Sequence, residues 1–436
     1  MLHSKFGMKH YICSKVYILK RLFIEIKKQN KYIFSLVKWT TVSTTIGIIC
    51  GLVGTAFDYA VEYATVVREN HAFLIYFLPL SGVLIVLMYK LLKSKYNIGT
   101  DYVVNAVRTT EKIPILLAPL IYFGTFITHL FGGSAGREGA ALQLGGSIAY
   151  NVGRLFKANR KDIPLIILSG MSGVFAALFG TPLTATLFTL EVISVGTIYY
   201  SGLIPCLISS LVAYSCAQLL GVKAVKFNLT NIPDLQLLTI IKIALLSVLC
   251  AALSVVFCQV MTHTKKLLKK LIKNAYLRII LGGTAILLLS LIFSSHEYNG
   301  AGMDVISKAI SGNAVPWAFA VKLLFTAITI GCGFKGGEIV PCFFIGSTFG
   351  CTIGSLLGID AGFGAAIGLV ALFCGAVNCP IASMFLSIEL FGANGILYFA
   401  LACAISYVLS GYTGLYKTQK IMYSKFSAEY INKTAE

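Results

Sequence analysis

Charged residues are scarce in this sequence, and acidic residues are the scarcest of them. Only 12% of the 436 residues are Asp, Glu, Lys or Arg, whereas 57% are hydrophobic and the mean hydropathy is +0.82. A water-soluble fold of this composition would expose large apolar patches, so a soluble globular protein is excluded. Strict alternation of apolar and polar residues is also rare, which argues against an outer-membrane barrel. The sequence predicts an all-α polytopic membrane protein, long enough for about ten or more spans of about 20 residues.

Motifs for enzymatic and cofactor chemistry are also missing. The twelve cysteines are scattered without a CxxC pair and the six histidines do not cluster, so neither a metal site nor a cofactor is expected. HExxH does not occur. Residues 132–136 read GGSAG, which matches GxSxG with Ser134 as nucleophile, but that motif needs a preceding strand and an activating histidine with an acid. Since an apolar span precedes Ser134 and only His129 is near, an intramembrane enzyme is the weaker hypothesis.

The net charge of +19 is concentrated in three basic clusters that flank apolar spans. Residues 1–38 hold nine Lys or Arg against Glu25, and no cleavable signal peptide is recognisable there. The other clusters are Lys265, Lys266, Lys269, Lys270 and Lys273, and then Lys417, Lys420, Lys425 and Lys433. The positive-inside rule accounts for them by placing them in the cytoplasm. A nucleic-acid surface would need stacking aromatics or a soluble module, and none is recognisable.

The pattern of apolar segments predicts four regions. Residues 1–37 are expected to form a basic helix on the cytoplasmic face, and 38–222 the first half of the transmembrane region. Residues 223–428 form the second half, with a final helix starting near Tyr416, and 429–436 a short cytoplasmic tail without a soluble regulatory domain.

The two halves are related by an internal repeat. FGTPLTATLFTLEV (179–192) aligns with VNCPIASMFLSIEL (377–390), and in each segment a proline precedes a glutamate by nine residues. Upstream, Gly146-Ser147 aligns with Gly346-Ser347, a register that pairs Glu138 with Glu338. Repeats built from short, glycine-interrupted helices indicate a transporter whose site lies near the membrane midplane.

The stretch GGSAGREGAALQLGGS, from Gly132 to Ser147, is the strongest candidate for that site. It predicts a helix starting at Glu138, and the N–H groups and positive dipole end of a helix start favour an anion. An acid in an apolar stretch is costly and is a functional hypothesis by default. Glu138 could occupy the anion site and leave it when protonated, which would make it a gate, although Arg137 could simply neutralise it.

Other polar residues in apolar surroundings have both functional and structural interpretations. Glu338, in GGEIVP, is either a second gating acid or a helix-start acid favoured by the dipole. The symmetry of Glu191 and Glu389 predicts a shared structural role, such as bonding backbone amides. The hydroxyls of Thr100 and Tyr416 could donate to an anion, although Tyr416 could equally be an interfacial aromatic.

These motifs resemble the CLC family of anion channels and anion/proton antiporters over roughly residues 35–428. GREG (136–139) resembles the gating-glutamate motif with Ala140 in place of its proline, and GGEIVP (336–341) resembles Gly-x-Phe-x-Pro with Ile339 in place of Phe. NIGTD (97–101) occupies the place of the first, serine-bearing motif. The resemblance implies a CLC-type inverted-repeat bundle of broken helices, as a homodimer with one anion pathway per subunit. It also implies proton coupling through Glu138 and Glu338, and anion binding by Thr100, Gly136, Arg137, Gly139, Gly337, Ile339, Val340 and Tyr416.

At three positions the sequence departs from the general CLC pattern, and in this combination it is similar to the fluoride/proton antiporter branch of the family. Val192 replaces the internal proton glutamate, Thr100 replaces the serine, and Glu338 occupies a normally apolar position. Val340, where that branch often has a hydroxyl, departs from it. The resemblance thus implies halide transport with proton antiport, fluoride being favoured over chloride, in the inner membrane of a bacterium. Its partners would be the halide, the proton and the lipid bilayer. A passive chloride channel, a chloride/proton antiporter and a sodium-coupled solute carrier are the alternatives.

Overall fold

The structure is a computed structural model that describes residues 3–92, 99–229, 231–293 and 295–435, with side chains from residue 29 onward. Asn97 and Ile98 of the NIGTD motif lie outside the described residues, as do residues 1, 2 and 436 of the two terminal regions. The described chain forms sixteen α-helices and three short strands. The helices of the first half are α1 (His3–Asn70), α2 (Leu78–Leu91), α3 (Thr100–Thr109), α4 (Leu117–Leu130), α5 (Glu138–Leu155), α6 (Ile163–Phe179), α7 (Pro182–Glu191) and α8 (Leu203–Leu219). Those of the second half are α9 (Leu237–Leu271), α10 (Ala275–Ile292), α11 (Met303–Ile310), α12 (Ala318–Cys332), α13 (Ile339–Leu356), α14 (Ala361–Val377), α15 (Pro380–Phe391) and α16 (Ile396–Leu409).

The helical segments fall into two length classes, which confirms the predicted polytopic helical fold. Six described segments are long and apolar enough to cross a membrane: Gln29–Asn70, Ala72–Leu91, Tyr200–Leu219, α9, α10 and α13. Six further apolar helices have only 10–17 residues. Proline and left-handed residues set the ends of several short helices: α7 and α15 begin with Pro182 and Pro380, and α6 and α14 end against Gly180 (φ 71°) and Asn378 (φ 57°).

The internal repeat is visible in how the central helices pack. Gly145 of α5 lies against the carbonyl of Gly170 on α6, and Gly346 of α13 lies against the carbonyl of Gly368 on α14. In both halves these glycines let the two helix backbones touch, because no Cβ separates them. The two helix pairs are therefore structural copies of each other.

The register of that repeat differs from the predicted one by a single residue. Glu138 begins α5 and Ile339 begins α13, so the offset between these helices is 201 residues. The contacts of Gly145 and Gly346 have the same offset. The predicted pairing of Glu138 with Glu338 is therefore wrong, and Glu338 corresponds to Arg137. The match between Gly146-Ser147 and Gly346-Ser347 gave the wrong register because both helices contain several closely spaced glycines. Two alignments that differ by one residue therefore both match glycine with glycine at several positions.

Two predictions about the ends of the chain are also corrected. α1 continues without a break through residue 37, because neither proline nor glycine interrupts the helix between the basic segment and the first span. The final helix expected near Tyr416 is wrong. Residues 420–423 form strand β2, which pairs in parallel with β1 (Ser194–Val195) and antiparallel with β3 (Tyr430–Thr434). Ile421 is fully buried between more exposed neighbours, the alternation that a short strand requires.

Candidate functional site

The starts of α5 and α13 meet at a two-residue backbone bridge. The Gly136 N–H donates to the Gly337 carbonyl at 2.7 Å, and the Gly337 N–H donates to the Gly136 carbonyl at 2.6 Å. A Cβ at Gly337 would collide with the amide nitrogen of Gly139, so the close approach requires glycine there. Two helix N-termini thus point toward one another in the interior, the arrangement that suits an anion.

Glu138 lies on one side of this bridge and is 1% exposed. Its Oε2 accepts a hydrogen bond from the Arg137 backbone N–H at 3.0 Å, and its Oε1 lies 3.7 Å from Arg137 Nε. The Arg137 guanidinium also forms an ion pair with Asp58 of α1. The carboxylate therefore folds back over its own helix start and occupies a donor that a bound anion would otherwise use.

A cavity of about 770 Å³ opens onto Glu138. Asp58, Arg137 and Val340 also line it, together with Arg68 and His129. Val340 follows the start of α13 and is 1% exposed, and a Cβ at Gly136 would lie 3.1 Å from its Cβ. The wall of the cavity at Glu138 is thus built from both halves of the repeat.

Thr100, Gly139 and Glu338 meet on the other side of the bridge. Thr100 Oγ1 donates to the Gly139 carbonyl at 3.2 Å and accepts from Gln143 Nε2 at 3.1 Å. A methyl group on Gly139 would lie 3.4 Å from Glu338 Oε2 and 3.6 Å from Thr100 Oγ1. Glu338 is only partly buried and lines a second cavity of about 430 Å³, together with Thr100 and Tyr416.

Two polar atoms near this second cavity have no hydrogen-bond partner among the described residues. They are the hydroxyl of Tyr416, whose side chain is 2% exposed, and Oε1 of Gln143. Since buried polar groups are nearly always paired, an unpaired phenol facing a cavity points to a ligand that accepts a hydrogen bond. Sequence reasoning missed Gln143. Its signal is a polar residue one helical turn after Gly139, within the apolar and glycine-containing segment 139–146.

The structure brings most of the predicted anion-binding residues, and the predicted proton-coupling residue Glu338, to the bridge but separates others. Those at the bridge or the second cavity are Thr100, Gly136, Gly139, Gly337, Glu338 and Tyr416. Arg137 and Val340 belong to the cavity of Glu138. Ile339 is fully buried as the first residue of α13.

The alternative centre at Ser134 has different surroundings from a hydrolase nucleophile. Its hydroxyl lies 3.1 Å from Thr326 Oγ1, and its N–H donates to Thr329 Oγ1 at 3.1 Å. The segment follows helix α4 and not a strand. A hydrogen-bonding partner that is itself a hydroxyl cannot act as the base that this chemistry needs.

These features define a membrane protein with two inverted halves whose helix starts converge in the interior at a candidate anion site. The model of the voltage gated chloride channel family matches residues 81–411, and the chain belongs to that family. It is 33% identical over 395 residues to a chloride/fluoride channel protein of Pseudomonas syringae pv. tomato, covering 89% of this chain and 87% of that protein. It is 25% identical over 374 residues to an H(+)/Cl(-) exchange transporter of Vibrio vulnificus, covering 79% and 80% of the two chains.

Two solved structures share the fold. A CLC-type fluoride/proton antiporter superposes with a TM-score of 0.86 at 32% identity, covering 88% of this chain and 98% of that one. A slow cyanobacterial Cl-/H+ antiporter superposes with a TM-score of 0.75 at 20% identity, covering 85% and 94%. At 20% identity, the likeness to the cyanobacterial antiporter concerns the fold alone. The fluoride/proton antiporter is also similar in sequence, to nearly the same degree as the Pseudomonas relative.

Proposed function

We propose that this protein exchanges fluoride for protons across a membrane. The observation that carries the proposal is the Gly136–Gly337 bridge, which joins the starts of α5 and α13 and leaves a carboxylate on each side. Glu138 lines one cavity and Glu338 the other. A halide entering between them displaces Glu138 from the helix start, and the displaced carboxylate takes a proton.

Orientation follows from the basic clusters. Lys265, Lys266 and Lys269 line the cavity of Glu338, so the positive-inside rule assigns that cavity to the cytoplasm. Glu138 then faces the opposite side through the larger cavity. In this arrangement Glu138 is the outer gate and Glu338 the inner proton carrier.

Fluoride suits the inner site better than chloride on chemical grounds. Fluoride is small and strongly hydrated, so replacing its water requires strong hydrogen-bond donors. Tyr416 supplies a phenol that has no hydrogen-bond partner among the described residues, and protonated Glu338 would supply a second O–H donor. Val192 cannot carry a proton, so Glu338 takes over inner proton delivery in the proposed mechanism. The similarity to a chloride/fluoride channel protein and to a fluoride/proton antiporter supports the same choice.

Flux from proteoliposomes tests the proposal directly. Fluoride or chloride efflux is followed with ion-selective electrodes while external pH is recorded. We expect fluoride efflux to drive proton movement, and Glu138→Gln and Glu338→Gln each to abolish that movement. Glu111→Gln, an exposed acid near the beginning of the α3–α4 connection, is the matched control. Unchanged proton coupling in both site variants would exclude the proposed roles.

The main alternative is passive chloride conduction or chloride/proton exchange by the same pathway. The similarity to an H(+)/Cl(-) exchange transporter is the observation that supports this alternative, in which chloride is the substrate. Chloride efflux faster than fluoride efflux would select this alternative, and the presence or absence of proton movement would separate exchanger from channel.

We also propose that the protein works as a homodimer in the inner membrane of a bacterium, with one anion pathway in each subunit. The Pseudomonas and Vibrio relatives are bacterial proteins, which supports the location. Single-molecule photobleaching of fluorescently labelled protein in liposomes would give two steps per particle for a dimer and one for a monomer.

A further inference from the structure

A groove of about 410 Å³ lies between α1 and the connection from α5 to α6, away from both anion cavities. The α1 side includes Lys38, Trp39 and Thr45, and the other side includes Phe156 and Lys157. Leu155 and Phe156 are 78% and 71% exposed at the end of α5. Exposed apolar side chains beside lysines are typical of the membrane–water boundary, where a headgroup and an acyl chain meet one protein surface.

The charge around this groove is strongly one-sided. It is lined by Lys38, Lys157 and one acid, Asp162, and three further exposed basic residues lie in the same stretch of chain, 154–161. These three are Arg154, Arg160 and Lys161. Lys38 Nζ lies 2.6 Å from Asp162 Oδ2, so the only acid in the set is already neutralised. The remaining positive charge favours an occupant with a negative headgroup.

We propose that this groove binds an anionic phospholipid of the cytoplasmic leaflet. Its phosphate lies against Lys157, and an acyl chain lies along Phe156 and the apolar side chains of α1. Arg160 donates from Nε to Thr110 Oγ1 at 3.3 Å, which fixes the loop that carries the cations. The site belongs to the outer surface of the bundle and does not depend on the transported ion.

The chain offers a direct reporter, because Trp39 is one of only two tryptophans. Trp39 lines the groove, with Lys38 Nζ 5.1 Å from the centre of its ring. Trp317 lies at the start of α12 and is 60% exposed. A Trp317→Phe protein therefore reports fluorescence from the groove alone, and a Trp39→Phe protein reports from Trp317 alone.

The test reconstitutes both proteins in phosphatidylcholine vesicles that contain either phosphatidylglycerol or additional phosphatidylcholine brominated near the headgroup. We expect brominated phosphatidylglycerol to quench Trp39 at a lower mole fraction than brominated phosphatidylcholine. Lys157→Gln in the Trp317→Phe protein should reduce this preference about fivefold, the factor associated with one basic residue near an anionic surface. The preference should also decrease with added salt.

Two controls make the result decisive. Lys270→Gln removes the same charge from an exposed position of α9, outside the groove, and should leave the preference of Trp39 unchanged. Trp317 in the Trp39→Phe protein should be quenched equally by both lipids. Equal quenching of Trp39 by the two lipids, or equal loss of preference in the Lys157 and Lys270 variants, would overturn the proposal in favour of a nonspecific annular lipid.

Discussion

Glu191 and Glu389 each bind the first turn of the helix that carries the other. Glu191, the last residue of α7, accepts from the backbone N–H groups of Ile381 and Ala382 at 3.2 and 2.8 Å. Glu389 of α15 accepts from those of Leu183 and Thr184 at 2.9 and 2.8 Å. This confirms the predicted structural role for the pair. The two carboxylates satisfy helix-start donors that have no intrahelical partner, and they lock the two halves together.

Removing either carboxylate is expected to lower the stability of the fold and to leave the coupling of anion and proton transport unchanged. A glutamine retains one acceptor oxygen, so Glu191→Gln or Glu389→Gln leaves one backbone N–H without its partner. Each variant should lower the free energy of unfolding by about 1–3 kcal/mol. Thermal unfolding in detergent, followed by size-exclusion chromatography, measures the change.

The mirrored position makes each variant a control for the other. Similar losses of stability with unchanged proton coupling are the expected outcome. If Glu191→Gln abolished proton coupling while Glu389→Gln did not, Glu191 would be a proton carrier and the symmetric interpretation would be wrong.

The short helices were predictable because local chemistry sets their ends. Pro182 and Pro380, the prolines of the two repeated segments 179–192 and 377–390, start helices α7 and α15. The register of the repeat was not predictable in the same way. A shift of one residue separates Glu338 from the true counterpart of Glu138, and repeated glycines make both alignments plausible.

Contacts between distant segments account for the rest of what the sequence could not predict. Arg137 pairs with Asp58, which lies on α1 and has no sequence motif linking it to the GREG stretch. The strand β2 is only four residues long, and its partner β1 lies in the other half of the chain. Such pairings depend on where the helices pack, and packing is not encoded in a local pattern.

The contact between Gly145 and Gly170 predicts that even an alanine at position 145 strongly destabilises the fold. A Cβ at Gly145 would collide with the Gly170 carbonyl, a backbone atom that cannot rotate away. Gly145→Ala should therefore lower the free energy of unfolding by about 3 kcal/mol or prevent folding. Gly153→Ala on the same helix meets only the Ile166 side chain at 3.1 Å and should cost clearly less. Equal expression and thermal stability of the two variants would contradict this packing argument.

Hydrogen bonds between Asp101 and Thr418 predict that the positions of Thr100 and Tyr416 depend on each other. Asp101 Oδ1 accepts from the Thr418 N–H at 3.2 Å, and the Asp101 carbonyl accepts from Thr418 Oγ1 at 3.0 Å. Arg108 of the same helix donates to the Thr418 carbonyl. The segment that carries Tyr416 is thus tied to the helix that begins with Thr100.

Removing this connection should allow the segment that carries Tyr416 to move relative to Thr100. Asp101→Ala is expected to increase fluoride efflux that is not accompanied by proton movement, and we expect the same of Tyr416→Ala. The double variant should exceed either single one only slightly, since residues that act through one contact are not additive. Thr109→Val removes a hydroxyl that bonds only within α3 and serves as the control. Additive effects of Asp101→Ala and Tyr416→Ala would show that the two residues act independently.

The cavity of Glu338 has a charge imbalance that predicts a dependence on salt. Six basic side chains and two carboxylates line it. The basic ones are Lys265, Lys266, Lys269, Arg278, Lys335 and Lys417, and the carboxylates belong to Asp101 and Glu338. A cavity lined mainly by one sign of charge concentrates the opposite ion and raises its entry rate.

Replacing two of these lysines should slow anion entry from that side alone. Lys265→Gln with Lys269→Gln is expected to reduce entry about tenfold at low ionic strength, the lower end of electrostatic steering effects. The difference from the unmodified protein should shrink toward 1 M salt, where the screening length is about 3 Å. Initial fluoride uptake into vesicles of known protein orientation measures this, and Lys270→Gln, on the same helix but not lining the cavity, is the control. A reduction that persists unchanged at high salt would mean that the lysines act by direct contact and not through their field.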